Sequence, residues 1–116
     1  MSDITIFHNP RCSKSRQTLQ LLQDNGIEPA VRLYLDQPPS AAELKKLLGS
    51  LGISARELLR KGEEEYKTLG LADQSLSEKA LVDAMVEHPR LIERPIVVKG
   101  KKAVLGRPPE NALALL

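Results

Sequence analysis

The chain has 116 residues and a formal charge of +2, from 17 Lys and Arg against 15 Asp and Glu, a size that suits one domain with its own core. The basic residues are scattered, and only 3% of the chain is aromatic, which argues against nucleic-acid binding through stacked bases. The single cysteine excludes an internal disulfide and a cysteine-rich zinc site. Met1–Thr5 carries no cationic leader, and no stretch approaches the ~20 apolar residues of a membrane span, so a cytoplasmic protein without membrane contacts is expected.

In chain order, Ile4-Thr5-Ile6-Phe7 is β-branched or aromatic and predicts a short strand. The polar stretch His8-Asn9-Pro10-Arg11-Cys12-Ser13-Lys14-Ser15-Arg16 follows. Leu19, Leu21 and Leu22 then fall at helical spacing, with Asn25-Gly26 as a stop. In Pro29–Leu35, Val31, Leu33 and Leu35 alternate with Arg32 and Tyr34, which predicts a half-buried strand. A strand, helix, strand unit of this kind places its two strands parallel through a right-handed crossover.

Ser40-Ala41-Ala42-Glu43 is a capping-box pattern ahead of Leu44, Leu47, Leu48 and Leu51, with Gly52 as the stop. Ser54-Ala55-Arg56-Glu57 repeats the pattern before a short helix with Leu58, Leu59 and Arg60, ended by Lys61-Gly62. Residues 63–69 predict another short helix, its acidic run a solvated face rather than a metal site. A cap at Ser75 or Ser77 opens an amphipathic helix with Leu81, Val82, Met85 and Val86, ending near His88-Pro89. Residues 40–88 are therefore a helical segment without an internal repeat.

Beyond Pro95, Ile96-Val97-Val98 predicts a buried strand, Lys99-Gly100-Lys101-Lys102 a hairpin turn and Ala103-Val104-Leu105 the returning strand. Pro108-Pro109 suits the first turn of a last helix, whose apolar residues are Ala112, Leu113, Leu115 and Leu116. The order β-α-β, helices, β-β-α predicts one α/β domain spanning residues 1–116, with a mixed sheet flanked by helices.

Cys12 carries the chemistry in this reading. A free thiol with a pKa near 8.5 is only a few per cent thiolate at neutral pH, and making it a useful nucleophile takes ~1.4–4 kcal/mol of stabilisation of the anion. A place just before or at the first turn of a helix offers unpaired N–H groups and a positive dipole end. The Ser15 hydroxyl, His8 if protonated, and the cations Arg11, Lys14 and Arg16 are candidates to add to that effect. Residue 15 is serine rather than cysteine, so Cys12 has no resolving partner at the end of a Cys-x-x-Cys pair, and an external thiol must complete any redox cycle.

The stretches His8-Asn9-Pro10-x-Cys12-x-x-Ser15-Arg16, Leu58-Leu59-Arg60-Lys61, Glu93-Arg94-Pro95-Ile96-Val97-Val98 and Gly106-Arg107-Pro108, in this order and at these separations, closely resemble the glutaredoxin-coupled arsenate reductase family, the ArsC family of the thioredoxin-like fold. The resemblance covers nearly the whole chain. It implies a thioredoxin-like mixed sheet and a cis Arg94-Pro95 bond. It also implies reduction of arsenate to arsenite: the Cys12 thiolate attacks arsenate, glutathione attacks the cysteine-bound arsenical, and glutaredoxin recycles the mixed disulfide. Cys12 is then catalytic, His8, Ser15 and Arg16 tune its thiolate, and Arg60, Arg94 and Arg107 match the oxyanion-binding arginines, whose planar forks suit a tetrahedral anion. Glutathione enters as co-substrate, with no bound cofactor or metal.

The chain departs from the family pattern in carrying Ser13-Lys14 where well-characterised members have Gly-Thr, and Arg11 where a small residue is usual. Two other classes compete. One is a glutathione-dependent thiol oxidoreductase acting on another substrate. The other is an Spx-like regulator that binds RNA polymerase, a group that typically carries Cys-x-x-Cys and lacks the Arg107 equivalent, so that Ser15 and Gly106-Arg107-Pro108 favour the enzyme. A phosphatase-type Cys-x5-Arg loop would need arginine where Thr18 stands.

Overall fold

A computed structural model describes residues 3–116; Met1 and Ser2, part of the stretch read for a leader, lie outside the described residues. The chain divides into two compact units, one built from the chain up to Gln37 together with Arg94–Leu116, the other from Pro38–Glu93.

The first unit holds the sheet. Strand β1 (Ile4–His8) leads into helix α1 (Ser13–Asp24) and strand β2 (Ala30–Leu33), and β3 (Ile96–Lys99) and β4 (Lys102–Leu105) form a hairpin. The four strands lie in the order β2-β1-β3-β4. β1 and β2 are parallel, with Ile6 opposite Val31 and His8 opposite Leu33. β3 runs antiparallel to β1, with Ile6 opposite Val97. Gly100 (φ 60°) turns the hairpin, a left-handed position that glycine takes without a Cβ clash. Ile4, Ile6 and Val97 pack with Leu22 of α1 and with Ala112 and Leu115 near the C-terminus.

Two expectations are corrected in this unit. The aliphatic residues of the second strand do not form a buried face: Val31, Leu33 and Leu35 are 47%, 37% and 39% exposed, while Tyr34 is buried and the Arg32 guanidinium lies over the Phe7 ring, 5.2 Å from its centre. β2 is an edge strand, and the apolar cluster made by α1 and the C-terminal segment covers β1, β3 and β4 but includes no residue of β2. The second correction is the last helix. Pro109–Leu115 is a 3-10 helix, and its buried residues Pro109, Ala112 and Leu115 follow a spacing of three, the period of that helix, leaving Leu113 and Leu116 exposed.

The second unit is helical: α2 (Ala41–Leu51), α3 (Ala55–Leu58), α4 (Glu64–Thr68), α5 (Glu78–Glu87) and a 3-10 turn at Pro89–Leu91. Both capping boxes form, Ser40 with Glu43 and Ser54 with Glu57, each side chain meeting the other residue's backbone N–H. Ser77, of the two serines considered, caps α5 by accepting the Ala80 N–H. Leu44, Leu47 and Leu48 of α2 and Leu81, Val82 and Met85 of α5 are buried, as their helical spacing requires. An antiparallel bridge between Leu59 and Ile92 ties the residue after α3 to the residue after the 3-10 turn.

Candidate active site

The reactive stretch leaves β1 at His8 and enters α1 at Ser13. Its shape follows from Asn9-Pro10. The Cys12 N–H donates to the Asn9 carbonyl at 3.0 Å, closing a turn in which proline supplies the second residue. Within it, the Arg11 N–H donates to Asn9 Oδ1 at 3.0 Å, an Asx turn. Arg16, one helical turn on, donates from Nη1 to the Pro10 carbonyl at 2.8 Å. Its guanidinium therefore ties the loop to α1 and keeps a positive charge beside it.

Cys12 stands at the N-cap of α1 in extended conformation, and its side chain makes no capping hydrogen bond to the helix backbone. It is 9% exposed. Ser15, on the first turn of α1, is buried, and its Oγ lies 2.6 Å from His8 Nδ1 while accepting the Asn9 N–H at 3.0 Å. Burial, and secondarily the charge of Arg16, pushes the His8 pKa below the ordinary 6.5. This shift disfavours the protonated ring on which a positive charge beside the sulfur would depend, and the contact that His8 makes is the hydrogen bond to Ser15. A groove of about 340 Å³ runs between His8–Arg11 and Leu33, Leu35 and Asp36.

Arg94 and Arg107 belong to the same unit as Cys12. Arg94 is 8% exposed and Arg107 is exposed, with Arg107 Nη1 3.5 Å from the Arg94 carbonyl. Each precedes a cis proline bond, Arg94-Pro95 and Arg107-Pro108; the second was not anticipated from the sequence. Arg60 belongs to the helical unit. There its backbone N–H donates to the Leu91 carbonyl at 2.8 Å, and its side chain pairs with Glu63 through Nη1 and with Glu93 through Nε at 3.6 Å.

Two further residues position the site. Thr18 is fully buried, and its hydroxyl reaches the Lys14 carbonyl at 2.8 Å and the Gly106 carbonyl at 3.1 Å. A Cβ on Gly106 would lie 2.8 Å from Pro95 Cγ and from both Thr18 Cγ2 and Oγ1, and the Gly106 N–H donates to the Pro95 carbonyl at 2.9 Å. Thr18, Gly106 and Pro95 thus lock α1 to the two arginine-proline segments. The one signal in the sequence was glycine immediately before Arg107-Pro108.

The described residues contain no cluster of His, Cys, Asp or Glu able to hold a metal ion, and no described helix is long and apolar enough to cross a membrane.

The ArsC family model matches residues 7–115. The uncharacterized protein YfgD of Escherichia coli K12 is 60% identical over 114 residues, covering 97% of this chain and 96% of that one. An arsenate reductase of Escherichia coli is 52% identical over 116 residues, covering all of this chain and 82% of the relative. Among solved structures, an arsenate reductase from Vibrio cholerae superposes with a TM-score of 0.95 at 54% identity, covering 97% of each chain. The mixed sheet flanked by helices is thioredoxin-like, as in these structures. From the family pattern matched over residues 7–115, and from relatives at half or more identity, the chain belongs to the ArsC family.

Proposed function

We propose that this protein reduces arsenate to arsenite with electrons from glutathione and glutaredoxin, and that residues 1–116 act as one domain in doing so. The observation that carries the reading is Cys12 at the N-cap of α1, in a chain without a second cysteine whose relatives include arsenate reductases. The family pattern also runs through both compact units.

In this mechanism the Cys12 sulfur attacks arsenic and an oxygen of arsenate leaves as water, giving a cysteine-bound arsenical. The thiol of glutathione then attacks. Arsenic takes two electrons and departs as arsenite, while Cys12 and glutathione are joined in a mixed disulfide. Glutaredoxin resolves that disulfide and returns the free thiol. Arg60, Arg94 and Arg107 hold the oxyanion, each through paired N–H donors that a lysine cannot supply.

The buried His8 and Ser15 prepare the sulfur. A neutral imidazole has one N–H. With that proton on Nδ1, Ser15 Oγ accepts from both His8 and Asn9, and its own O–H is free to turn toward the sulfur of the residue at i−3, a neighbour on the helix surface. Arg16 adds a positive charge, and the first-turn N–H groups of α1 add theirs. The cytoplasm, where thiols are kept reduced, is the compartment in which this cycle can turn.

The test is arsenate-dependent NADPH oxidation by the purified protein with glutathione, glutaredoxin and glutathione reductase, run beside Cys12→Ser. Turnover that the substitution abolishes supports the reading. Absence of arsenate turnover by a protein that still forms a Cys12-glutathione disulfide would move the function to another substrate of a thiol oxidoreductase, and full activity of Cys12→Ser would remove Cys12 as the nucleophile.

A further inference from the structure

We propose that Glu63 is an affinity-setting residue of the oxyanion site, because its carboxylate competes with an incoming anion for the Arg60 guanidinium and so sets how tightly oxyanions are held. The inference rests on the reading of Arg60 as an oxyanion ligand.

Two guanidinium groups converge on this one carboxylate. Arg60 Nη1 is ion-paired with Glu63 Oε1, and Arg90 Nη2 lies 3.5 Å from Glu63 Oε2. Glu93 Oε1 stands 3.6 Å from Arg60 Nε, and Glu65 Oε2 stands 4.0 Å from Arg90 Nη1. The side chains of Arg60 and Glu63 are 25% and 16% exposed, against 64% for Arg90. Arg60–Glu63 is therefore more sheltered than the Arg90 pairs, and solvent and salt screen it less than they screen Arg90.

The base of Arg60 is fixed. Its N–H is held by the Leu91 carbonyl, the Glu93 N–H is held by the Leu58 carbonyl at 2.9 Å, and the Leu59–Ile92 bridge lies between them. What can change is the partner of the guanidinium rather than the path of the backbone.

A guanidinium has five N–H donors in a rigid fork. Here Nε faces Glu93 and Nη1 faces Glu63, so an oxyanion gripping the Nη1/Nη2 edge must share Nη1 with the Glu63 carboxylate. The two anions then lie on one nitrogen and repel each other. Glu93, 3.6 Å from Nε, places a second negative charge beside the same guanidinium. Each effect weakens the hold of Arg60 on an oxyanion, and arsenate and phosphate, alike in shape and charge, are subject to both.

The experiment is calorimetric titration of inorganic phosphate, and separately of arsenate, into the full chain without any thiol, followed by arsenate kinetics in the coupled assay. Glu63→Gln is expected to tighten both anions about three- to fivefold, the scale of one ion pair, and to lower the arsenate KM by the same factor with kcat unchanged. Glu64→Gln removes an equal charge from the exposed neighbouring position, which takes no part in the network among the described residues, and should leave binding as it was. Unchanged or weaker binding in Glu63→Gln, or equal tightening in Glu64→Gln, overturns the competition. Arg60→Ala separates the two levels. If it binds phosphate like the parent, the assignment of Arg60 fails and the inference fails with it; if it binds weakly while Glu63→Gln changes nothing, only the role of Glu63 is lost.

Discussion

Ser15 Oγ lies 2.6 Å from His8 Nδ1, and both side chains are buried. The contact joins the last residue of β1 to the first turn of α1 directly behind the reactive loop. Ser15→Ala would leave the His8 ring nitrogen and the Asn9 N–H without their acceptor or donor, at a cost of about 1–3 kcal/mol. Urea unfolding should show that loss, and alkylation of Cys12 by iodoacetamide at pH 7 should slow several-fold. A full-rate alkylation would remove Ser15 from the preparation of the sulfur.

His8 makes stability depend on pH with a definite sign. Its folded-state pKa is below the ordinary 6.5, so the unfolded chain binds more protons at mildly acid pH and stability falls as pH falls. The full contribution is present above pH 6.5 and is lost as pH drops through the lower, folded value. Urea midpoints measured from pH 7.5 to pH 5 should decline in the parent and decline less in His8→Asn. Asp73, whose carboxylate is stabilised by hydrogen bonds from the side chain and backbone of Ser75, acts only at lower pH, below its ordinary 3.8, and does not overlap that window.

Gly106→Ala places a methyl group 2.8 Å from Pro95 and Thr18, inside van der Waals contact. Overpacking of this kind costs about 1–3 kcal/mol. Because the displaced groups carry the segments of Arg94 and Arg107, the arsenate KM should rise together with the loss of thermal stability. A variant as stable as the parent would show that the loop relaxes without strain.

Arg107 gives the converse result. It is exposed, so Arg107→Ala should change stability by no more than about 0.5 kcal/mol, whereas losing a charged hydrogen-bond donor to the anion, worth about 1.5–3 kcal/mol, should raise the arsenate KM tenfold or more. Arg107→Lys should recover only part of this. Unchanged arsenate kinetics in Arg107→Ala would place the oxyanion elsewhere.

Local signals were legible in the chain, and signals that depend on what covers a surface were not. Ser40-x-x-Glu43 and Ser54-x-x-Glu57 each complete their contacts within four residues, so the pattern alone identified both helix starts. The position of Cys12 between strand and helix was equally local. Val31, Leu33 and Leu35 show the other case: alternation separates two faces of a strand, but which face is covered depends on α1 and the C-terminal segment, and these leave β2 at the edge. The apolar run after Pro109 fits a period of 3.6 or of three, and burial of Ala112 and Leu115 selects three. Thr18 and Gly106 are 88 residues apart, and no spacing rule links them. His8 was read as a source of charge if protonated, and its burial, which lowers its pKa, is a property of the fold.

The absent side-chain cap on α1 has a thermodynamic meaning. An N-cap serine, threonine or aspartate contributes about 0.5–2 kcal/mol to a helix, and the helical unit uses serine at that position three times, at Ser40, Ser54 and Ser77. α1 forgoes this by placing Cys12 there. Reactivity and thermal resistance therefore oppose each other at one residue, a trade-off common where a site needs a group that the scaffold does not prefer. Cys12→Ser, the substitution that should abolish turnover, should also unfold at a higher temperature than the parent.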